Sequence, residues 1–296
     1  MLDEMVREFL DYLRYERRRS PETIASYSCS IREFEDFFRH LDSGLDWSSV
    51  DEDVVRDWME HLVDGGMEAS SVGTRFAALR SLFRFALARH LVERDPTYRL
   101  EPPKKAKRLP TFLKESEMDR LLDDLPWGTS FKEVRDKAII TTFYETGIRL
   151  SELKGLNDVD IDSDNHQLKV TGKGNKQRVV PYGEELARTL RDYMACRDRE
   201  VIRHCDAVFV TSKGNRMTSD GVRMLVKDKL SLVSSQKKLS PHVLRHTFAT
   251  AMLNNGASIE SVRRLLGHAS ASTTEVYTHT TFEQLRRVYK NAHPRA

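Results

Sequence analysis

A proline-rich, basic stretch divides the chain into two parts. The sequence E-P-P-K-K-A-K-R-L-P at residues 101–110 contains three prolines and four positively charged side chains. Because proline interrupts a helix, we predict an extended basic linker over residues 101–111. A chain of 296 residues is long enough for two domains and a sizeable core. We therefore predict one domain over residues 1–100 and a second over residues 112–296.

The first part has the sequence pattern of a small helical bundle. Apolar residues recur at helical spacing, and Ser20-Pro21 is typical of an N-cap followed by the first helical position. Asp64-Gly65-Gly66 is a helix stop. The predicted helices cover residues 2–18, 20–40, 51–63 and 70–90.

The second part mixes helices with a few short strands, which predicts a mainly α fold with a small antiparallel β-sheet in the C-terminal domain. A further helix begins at Ser151, after the bend that carries Arg149. The other predicted helices cover residues 116–125, 131–146, 184–203, 219–233, 241–253, 258–266 and 281–291. The predicted strands cover residues 159–161, 166–171, 178–181 and 208–210.

The composition excludes several classes of protein. Hydrophobic residues make up 39% of the chain and charged residues 31%, which fits a soluble globular protein and excludes a disordered one. No apolar run approaches the length of a membrane span. Three cysteines without a pattern are too few for a disulfide framework, so we expect a reducing cytosol.

Charge is distributed unevenly between the two parts. Residues 1–100 contain 14 arginines, no lysine and 20 acidic residues, a net charge of −6, whereas the remaining residues contain 34 basic and 25 acidic residues, a net charge of +9. A basic excess of this kind is expected of a surface that faces DNA, although ordinary solvated surface charge explains it equally well. The basic linker has the composition needed to cross a duplex, because phosphate neutralisation is nonspecific and additive. A plain spacer is the alternative.

A stretch near the C-terminus concentrates side chains that suit phosphoryl transfer. Residues 240–279 bring His242, Arg245, His268 and Tyr277 into one short region. Arginine can hold phosphate oxygens in a bidentate fork, histidine can exchange protons near neutral pH, and tyrosine can be a covalent nucleophile. If Ser240 caps a helix, His242 and Arg245 lie on the same face of that helix.

Each of these residues also has an ordinary structural interpretation. A tyrosine such as Tyr277 is normally a packed aromatic, His268 could cap a helix, and Arg149 taken alone is typical of a salt-bridge partner. His242 and His246 have the i, i+4 spacing of a zinc pair, but no third ligand motif accompanies them. We therefore predict no metal site.

The motifs together resemble a known family. H-V-L-R-H-T-F-A-T followed by L-G-H-A-S-A-S-T-T-E-V-Y-T-H resembles the C-terminal signature of the tyrosine recombinase (phage integrase) family, most closely that of its Xer-type members. T-G-I-R-L-S-E-L resembles the family's first arginine motif, and T-G-K-G-N-K-Q-R resembles its lysine-bearing hairpin. The resemblance covers nearly the whole chain. It implies a helical core-binding (SAM-like) domain and a catalytic domain that together form a two-domain DNA clamp.

The resemblance also implies catalytic roles. Tyr277 would attack a DNA phosphodiester and form a 3′-phosphotyrosyl bond, with His242 as the base and with Lys173, or Lys176 in its place, as the acid. Two arginines would stabilise the negative charge of the transition state, and His268 would hydrogen-bond the phosphate. The predicted catalytic residues are Arg149, Lys173, His242, Arg245, His268 and Tyr277.

The expected partner is a double-stranded DNA recombination site. The second and fourth helices of the first domain resemble those that grip DNA in the family, with Ser26, Tyr27, Arg75 and Arg80 as candidate contacts. We expect a homotetramer or heterotetramer on two DNA sites, joined through the C-terminal helix, and name a septal DNA translocase as a further candidate partner. We expect no cofactor, no membrane contact, and a cytoplasmic, nucleoid-associated protein.

Several functions share this chemistry. We predict a site-specific recombinase with an Xer-like role in resolving chromosome or plasmid dimers. The alternatives are an integrase or excisionase of a mobile element, a type IB topoisomerase that relaxes DNA, and a DNA-binding protein without catalysis. The complete set of six catalytic residues argues against the last, and the compact helical first domain argues against a topoisomerase.

Overall fold

The computed structural model describes residues 3–44, 46–104, 111–172, 175–267 and 279–296. The chain divides into two compact units, Met1–Arg108 and Leu109–Ala296. The described residues are mostly helical and include a three-stranded antiparallel sheet in the second unit, which confirms the predicted class of secondary structure. Residues 105–110 of the predicted linker lie outside the described residues. In the described part of the chain, no helix is both long enough and apolar enough to cross a bilayer.

The helices of the first unit follow the predicted order. Ser20 caps the second of them, because its Oγ accepts a hydrogen bond from the Thr23 backbone N–H at 3.3 Å. Aromatic residues fill the core, and Phe34 and Trp58 meet almost edge to face with ring centroids 5.0 Å apart. The helices are α1 (Glu4–Asp11), α2 (Pro21–Leu41), α3 (Glu52–Asp64) and α4 (Ala69–Ala88).

The first predicted helix is too long. After Asp11 the backbone widens into a π-helical turn, Tyr12–Glu16, in which the Arg17 N–H donates to the Tyr12 carbonyl at 3.0 Å. In this turn each N–H donates to the carbonyl five residues earlier and not four. The regular α-helix is therefore shorter than the apolar spacing indicated.

The second unit surrounds a central helix. Its elements are α5 (Glu115–Asp119), α6 (Phe131–Thr146), α7 (Leu150–Gly155), β1 (Ile161–Asp162), β2 (Gln167–Thr171), β3 (Gln177–Pro181), α8 (Glu184–Glu200), α9 (Ser219–Ser231), α10 (Pro241–Asn254), α11 (Ile259–Leu266) and α12 (His279–Ala292). Most residues of α6 are buried, including polar ones such as Thr142 and Glu145. A helix covered on nearly every side must lie inside its domain, so the bend at the end of α6 has a fixed position.

Two of the predicted strands are wrong in detail. Val159 lies in a 3₁₀ turn and is 90% exposed, and β1 begins only at Ile161. Residues 208–210 form no ladder, although they are buried: the Val208 carbonyl accepts a hydrogen bond from the Tyr193 hydroxyl at 2.9 Å, and the Val210 N–H donates to that hydroxyl at 3.2 Å. The Tyr193 hydroxyl therefore satisfies two backbone groups of this stretch, while the Val208 N–H donates to the Leu156 carbonyl and the Phe209 carbonyl accepts from the Met217 N–H, both at 3.1 Å.

The last helix, α12, packs against its own unit. Leu285 and Tyr289 are buried in one apolar cluster with Phe248 and Met252 of α10. The residues after α12 continue this contact: the His293 ring stacks on Tyr289 with centroids 5.1 Å apart. We expect the C-terminal helix to join neighbouring chains in a tetramer; within a single chain it packs on the core of its own unit.

Candidate active site

Arg149 lies at the bend that follows α6. Gly147 ends α6 in the left-handed conformation, with a φ of +58°, and Arg149 is the N-cap residue of α7. The Arg149 backbone N–H donates to Glu152 Oε2 at 2.7 Å, and one guanidinium nitrogen donates to Glu152 Oε1 at 2.9 Å. The other donates to the Gly267 carbonyl at 3.2 Å. The Arg149 side chain remains 33% exposed, so it is partly accessible to solvent.

Arg245 is buried on α10 and reaches the same region. Its guanidinium donates to the Gly147 carbonyl at 2.5 Å and to the Leu266 carbonyl at 2.7 Å. Burial, together with repulsion from Arg149, lowers the pKa of Arg245 to about 10. The residue therefore keeps its positive charge at neutral pH.

Three consecutive carbonyls at the end of α11 bind three arginines. The Leu265 carbonyl accepts from Arg178 Nε at 3.0 Å, the Leu266 carbonyl accepts from Arg245, and the Gly267 carbonyl accepts from Arg149. Carbonyls at the C-terminal end of a helix have no partner within the helix, and this end of the helix dipole favours positive charge. The end of α11 thus holds the guanidinium groups together.

Glu152 supplies the negative charge of the cluster. Its side chain is fully buried, and Arg178 on β3 donates to its Oε1 at 2.6 Å and to its Oε2 at 3.0 Å. Burial alone would raise the pKa of Glu152, but the hydrogen bonds from Arg178 and Arg149 outweigh it and hold that pKa below its ordinary value. Glu152 is therefore ionised at neutral pH and pairs with two arginines at once.

His242 lies on α10 one turn before Arg245. The side chain is exposed. Partial desolvation of the ring and the positive charges of its neighbours, among them Arg245 and Arg149, nevertheless lower its pKa below the ordinary value. His242 is therefore neutral at physiological pH and able to accept a proton. Ser240 is the N-cap residue of α10, as predicted, but its hydroxyl makes no capping hydrogen bond with the helix.

The predicted lysine hairpin connects β2 and β3. The Gly172 N–H donates to the Lys176 carbonyl at 2.8 Å and closes the hairpin, and Lys176 is exposed. A Cβ atom at Gly172 would lie 3.2 Å from Glu152 Oε1, so the hairpin leaves the sheet beside the arginine cluster. Lys173 itself lies outside the described residues.

The structure brings three of the six predicted catalytic residues together: Arg149, His242 and Arg245. His268 and Tyr277 also lie outside the described residues. Gly267, the residue before His268 in the sequence, binds Arg149 through its carbonyl.

Of the four candidate DNA contacts, two arginines make internal hydrogen bonds. Ser26 is exposed on α2, and Tyr27 is half-buried with its ring stacked on Phe9. Arg75 pairs with Glu33 at 2.5 Å while staying partly exposed. Arg80 donates to the carbonyls of Thr97 and Leu100, with the Thr97 bond at 3.0 Å, and lies over the Phe76 ring. This arrangement favours a structural role for Arg80, because its guanidinium is already bound within the unit.

Sequence reasoning overlooked Glu152 and Arg178. The signal for Glu152 was available, since it follows Arg149 by three residues at the position of a capping box. Arg178 carried no comparable signal, because nothing in a short strand indicates which buried carboxylate an arginine will meet.

Among the described residues, no three histidine, cysteine or carboxylate side chains are grouped as a metal site.

Comparisons with known proteins agree with the motifs. The phage integrase family model matches residues 111–284, and the model of the phage integrase N-terminal SAM-like domain matches residues 6–90. Tyrosine recombinase XerC of Chlorobaculum tepidum is 38% identical over 315 residues, covering 98% of this chain and 94% of that protein. Tyrosine recombinase XerD of Oceanobacillus iheyensis is 34% identical over 299 residues and covers all of both chains.

Solved structures share the fold. The XerH site-specific recombinase bound to palindromic difH substrate, in a post-cleavage complex, has a TM-score of 0.72 at 21% identity, covering 95% of this chain and 83% of that one. The Tn1549 transposon integrase in complex with circular intermediate DNA has a TM-score of 0.70 at 18% identity, covering 95% of this chain and 98% of that one. With a family model over more than half of its length and full-length relatives above 30% identity, the chain belongs to the phage integrase family of tyrosine recombinases, whose Xer-type members its motifs resemble.

Proposed function

We propose that this recombinase cuts and rejoins DNA at specific sites through a 3′-phosphotyrosyl intermediate, with Tyr277 as the nucleophile. The observation that carries the proposal is the attachment of Arg149 and Arg245 to adjacent carbonyls at the end of α11, with neutral His242 one turn away. Two charged guanidiniums and one neutral imidazole suit a reaction that needs an anion site and a base.

Each half of the reaction conserves the number of phosphoester bonds. The Tyr277 hydroxyl attacks phosphorus and loses its proton to His242, while the bond from phosphorus to the 5′-oxygen breaks. Lys173 gives a proton to the leaving 5′-oxygen, with Lys176 as the alternative donor. A 5′-hydroxyl from the partner duplex then attacks the phosphotyrosine in the reverse sense. Because the phosphotyrosyl linkage conserves the energy of the phosphodiester bond, the reaction consumes no nucleotide.

Negative charge grows on the nonbridging oxygens of the phosphate as tyrosine attacks. Arg149 and Arg245 meet this charge with guanidiniums that are already oriented, so little reorganisation is needed when the charge develops. His268 would hydrogen-bond the same phosphate. We assign the role of acid to lysine, as the family resemblance implies, because Arg149 and Arg245 are needed in their charged form to meet the phosphate.

The assembly that we propose is a tetramer on two DNA sites, homomeric or heteromeric, in which each chain clamps the duplex with a core-binding domain (residues 1–100) and a catalytic domain (residues 112–296). In such an assembly α12 would join neighbouring chains and would exchange its contacts with Phe248 and Met252 for the same surface on a neighbour. The candidate DNA contacts Ser26, Tyr27, Arg75 and Arg80 remain predictions.

The proposed biological role is the resolution of chromosome or plasmid dimers at the nucleoid in the cytoplasm, with a septal DNA translocase as a candidate activator. The names of the full-length relatives, XerC and XerD, support it. An integrase or excisionase of a mobile element is the alternative. The two roles differ in substrate, because dimer resolution joins two copies of one site and integration joins two different sites.

A duplex that carries a candidate site and a nick tests the chemistry. The wild-type chain, incubated without metal or nucleotide, should form a covalent adduct visible on a denaturing gel. Tyr277→Phe should form none, whereas Tyr98→Phe, at an exposed tyrosine of the first unit, should match the wild type. Relaxation of a supercoiled plasmid that lacks a site would instead identify a topoisomerase. Binding without an adduct, on several sites and with a relative added, would refute the proposal.

A further inference from the structure

We propose that Arg178 is a positioning residue for the cleavage reaction: it holds Arg149 and Arg245 in register for one phosphate, acting through Glu152 and the carbonyl end of α11. This inference rests on the proposed function, since it concerns the same phosphate. The contacts that define Arg178 are nevertheless independent of the identity of the nucleophile.

All of the hydrogen bonds of Arg178 point into the protein. The side chain is only 6% exposed. Nε donates to the Leu265 carbonyl at 3.0 Å, and the two terminal nitrogens donate to the two oxygens of Glu152 at 2.6 and 3.0 Å. All three nitrogens of Arg178, Nε included, donate to internal acceptors, whereas Arg245 donates to carbonyls from its two terminal nitrogens. Any effect that Arg178 has on the phosphate must pass through its partners.

The first of these partners is Glu152, which also binds Arg149. If Arg178 were absent, the buried carboxylate would face Arg149 as its remaining strong donor. Guanidinium and carboxylate prefer a two-pronged pair. Arg149 would therefore turn toward Glu152 and leave the Gly267 carbonyl. The carboxylate would then neutralise most of the electrostatic effect of Arg149 on a phosphate. With Arg178 present, two arginines share one carboxylate and the cluster keeps a net charge of +1, or +2 with Arg245.

The second partner is the end of α11. Arg178 binds the Leu265 carbonyl directly before the carbonyls that bind Arg245 and Arg149. A Cβ atom at Gly267 would lie 3.0 Å from Arg178 Nε, so the arginine is packed closely against this turn. A shift of the turn would move the anchors of both other guanidiniums together. Misplacement by about 1 Å can cost a factor of roughly 100 in rate.

Four variants separate positioning from stability: Arg178→Met, Arg178→Lys, Glu152→Gln, and the double variant Arg178→Met with Glu152→Gln. A matched control is Arg197→Met, because Arg197 is fully buried and pairs with Asp158 and with the Val208 carbonyl in the same unit, away from Glu152. Adduct formation is followed in a single turnover at saturating protein. Each variant is assayed well below its own melting temperature, and DNA affinity is measured in parallel.

Arg178→Met should slow adduct formation about 10- to 100-fold while the dissociation constant for DNA changes less than about threefold. Arg178→Lys should be faster than Arg178→Met but slower than the wild type, because lysine restores the positive charge but not the bidentate hydrogen bonding of a guanidinium. The double variant should be faster than Arg178→Met, because neutralising Glu152 releases Arg149 from its pair with that carboxylate. Arg197→Met should lower the melting temperature without a selective loss of rate.

A readout without activity keeps this proposal separate from the proposed function. In protein labelled with ¹⁵N-arginine, the Nε–H signals of Arg149 and Arg245 are assigned with Arg149→Lys and Arg245→Lys. Both signals should move in Arg178→Met and stay in place in Arg197→Met. If the wild type forms no adduct, the proposed function fails while these signals still decide the positioning role. The positioning role would be refuted if the Arg149 and Arg245 signals did not move in Arg178→Met. It would also be refuted if that variant formed adduct at the wild-type rate per folded molecule.

Discussion

Arg149 and Arg245 bind the carbonyls of two consecutive residues, Gly267 and Leu266, although they lie on different helices almost a hundred residues apart. The end of α11 is therefore a template on which two cations are placed at a fixed spacing. Glu152 and the helix dipole offset the repulsion between the two charges. His242 lies one turn away from Arg245, and partial burial, together with these positive charges, lowers its pKa.

The lowered pKa of His242 predicts a specific pH profile for adduct formation. A base must be unprotonated, so the rate should fall as the pH falls through the pKa of the folded protein, which lies below 6.5. Single-turnover rates between pH 5 and 8 should thus show an acid limb centred below pH 6.5. His242→Gln should lower the rate and remove the limb, whereas His204→Gln, at an exposed histidine, should preserve both. A limb that survives in His242→Gln would assign the base to another group.

Gly147→Ala should destabilise the second unit strongly. The residue has a φ of +58°, and a Cβ atom there would lie 2.5 Å from the Phe248 ring and 2.8 Å from Leu266. Gly256→Ala is the matched control, because Gly256 has a φ of +88° with no atom within 4 Å of its Cβ position. Left-handed strain alone costs about 1–2 kcal/mol, and overpacking adds about 1–3 kcal/mol. Thermal or urea unfolding should therefore show a larger loss for Gly147→Ala, and equal losses would contradict the packing argument.

Glu145 should make the free energy of unfolding fall as the pH rises from about 4.5 to about 8. Burial raises its pKa to about 8, with the nearby charge of Glu185 acting in the same direction, while hydrogen bonds from the Gly183 N–H and the Tyr289 hydroxyl act against it. The folded state thus holds a proton that the unfolded state has released between about pH 4.5 and 8, so stability is lost as pH rises through this window, by up to about 1.4 kcal/mol per pH unit.

His293 acts in the opposite sense at lower pH. Its burial lowers its pKa to about 4, so it contributes a rise in stability from pH 4 to 6.5, and the net fall should be clearest between pH 6.5 and 8. Glu145→Gln should flatten this fall when unfolding is followed at several pH values. An unchanged profile in that variant would show that Glu145 does not cause it.

Arg295 should anchor the segment after α12. It is 10% exposed and forms ion pairs with Asp119 at 2.9 Å, with Glu185 at 2.7 Å and with Asp123. Because Asp119 and Asp123 are themselves about half exposed, we expect Arg295→Ala to cost only about 1–2 kcal/mol, less at high salt. Arg287→Ala, at an exposed arginine of α12, should cost less. Unfolding at two salt concentrations measures the stability lost in each variant. Equal losses in Arg295→Ala and Arg287→Ala would show that Arg295 does not anchor this segment.

Arg75 and Arg80 should separate into different roles in the first unit. Arg80→Ala should lower the melting temperature, because the carbonyls of Thr97 and Leu100 lose their donor. Arg75→Ala should leave the melting temperature almost unchanged and should reduce the salt dependence of DNA binding by about one phosphate contact. Glu33→Gln, which releases Arg75 from its pair, should not weaken binding. If the dependence of DNA affinity on salt concentration were unchanged in Arg75→Ala, Arg75 would not be a phosphate contact.

The sequence by itself determined the helical first unit, the order of the helices, and the two longer strands β2 and β3. These features depend on local spacing, on capping and on backbone freedom, all of which neighbouring residues specify. Motif spacing also predicted that Arg149, His242 and Arg245 belong to one site, and the structure brings these three residues close together.

The tertiary structure alone decided what each arginine binds. Nothing local to Arg178 indicates that it will meet Glu152, and nothing in the sequence of residues 208–210 shows that a tyrosine hydroxyl will satisfy two of their backbone groups. The choice between solvent and an internal carbonyl for Arg80, and between a neighbour and its own unit for α12, likewise depends on contacts between distant segments. Such contacts form only when burial of the two cores removes water from the polar groups and forces each one to find a partner.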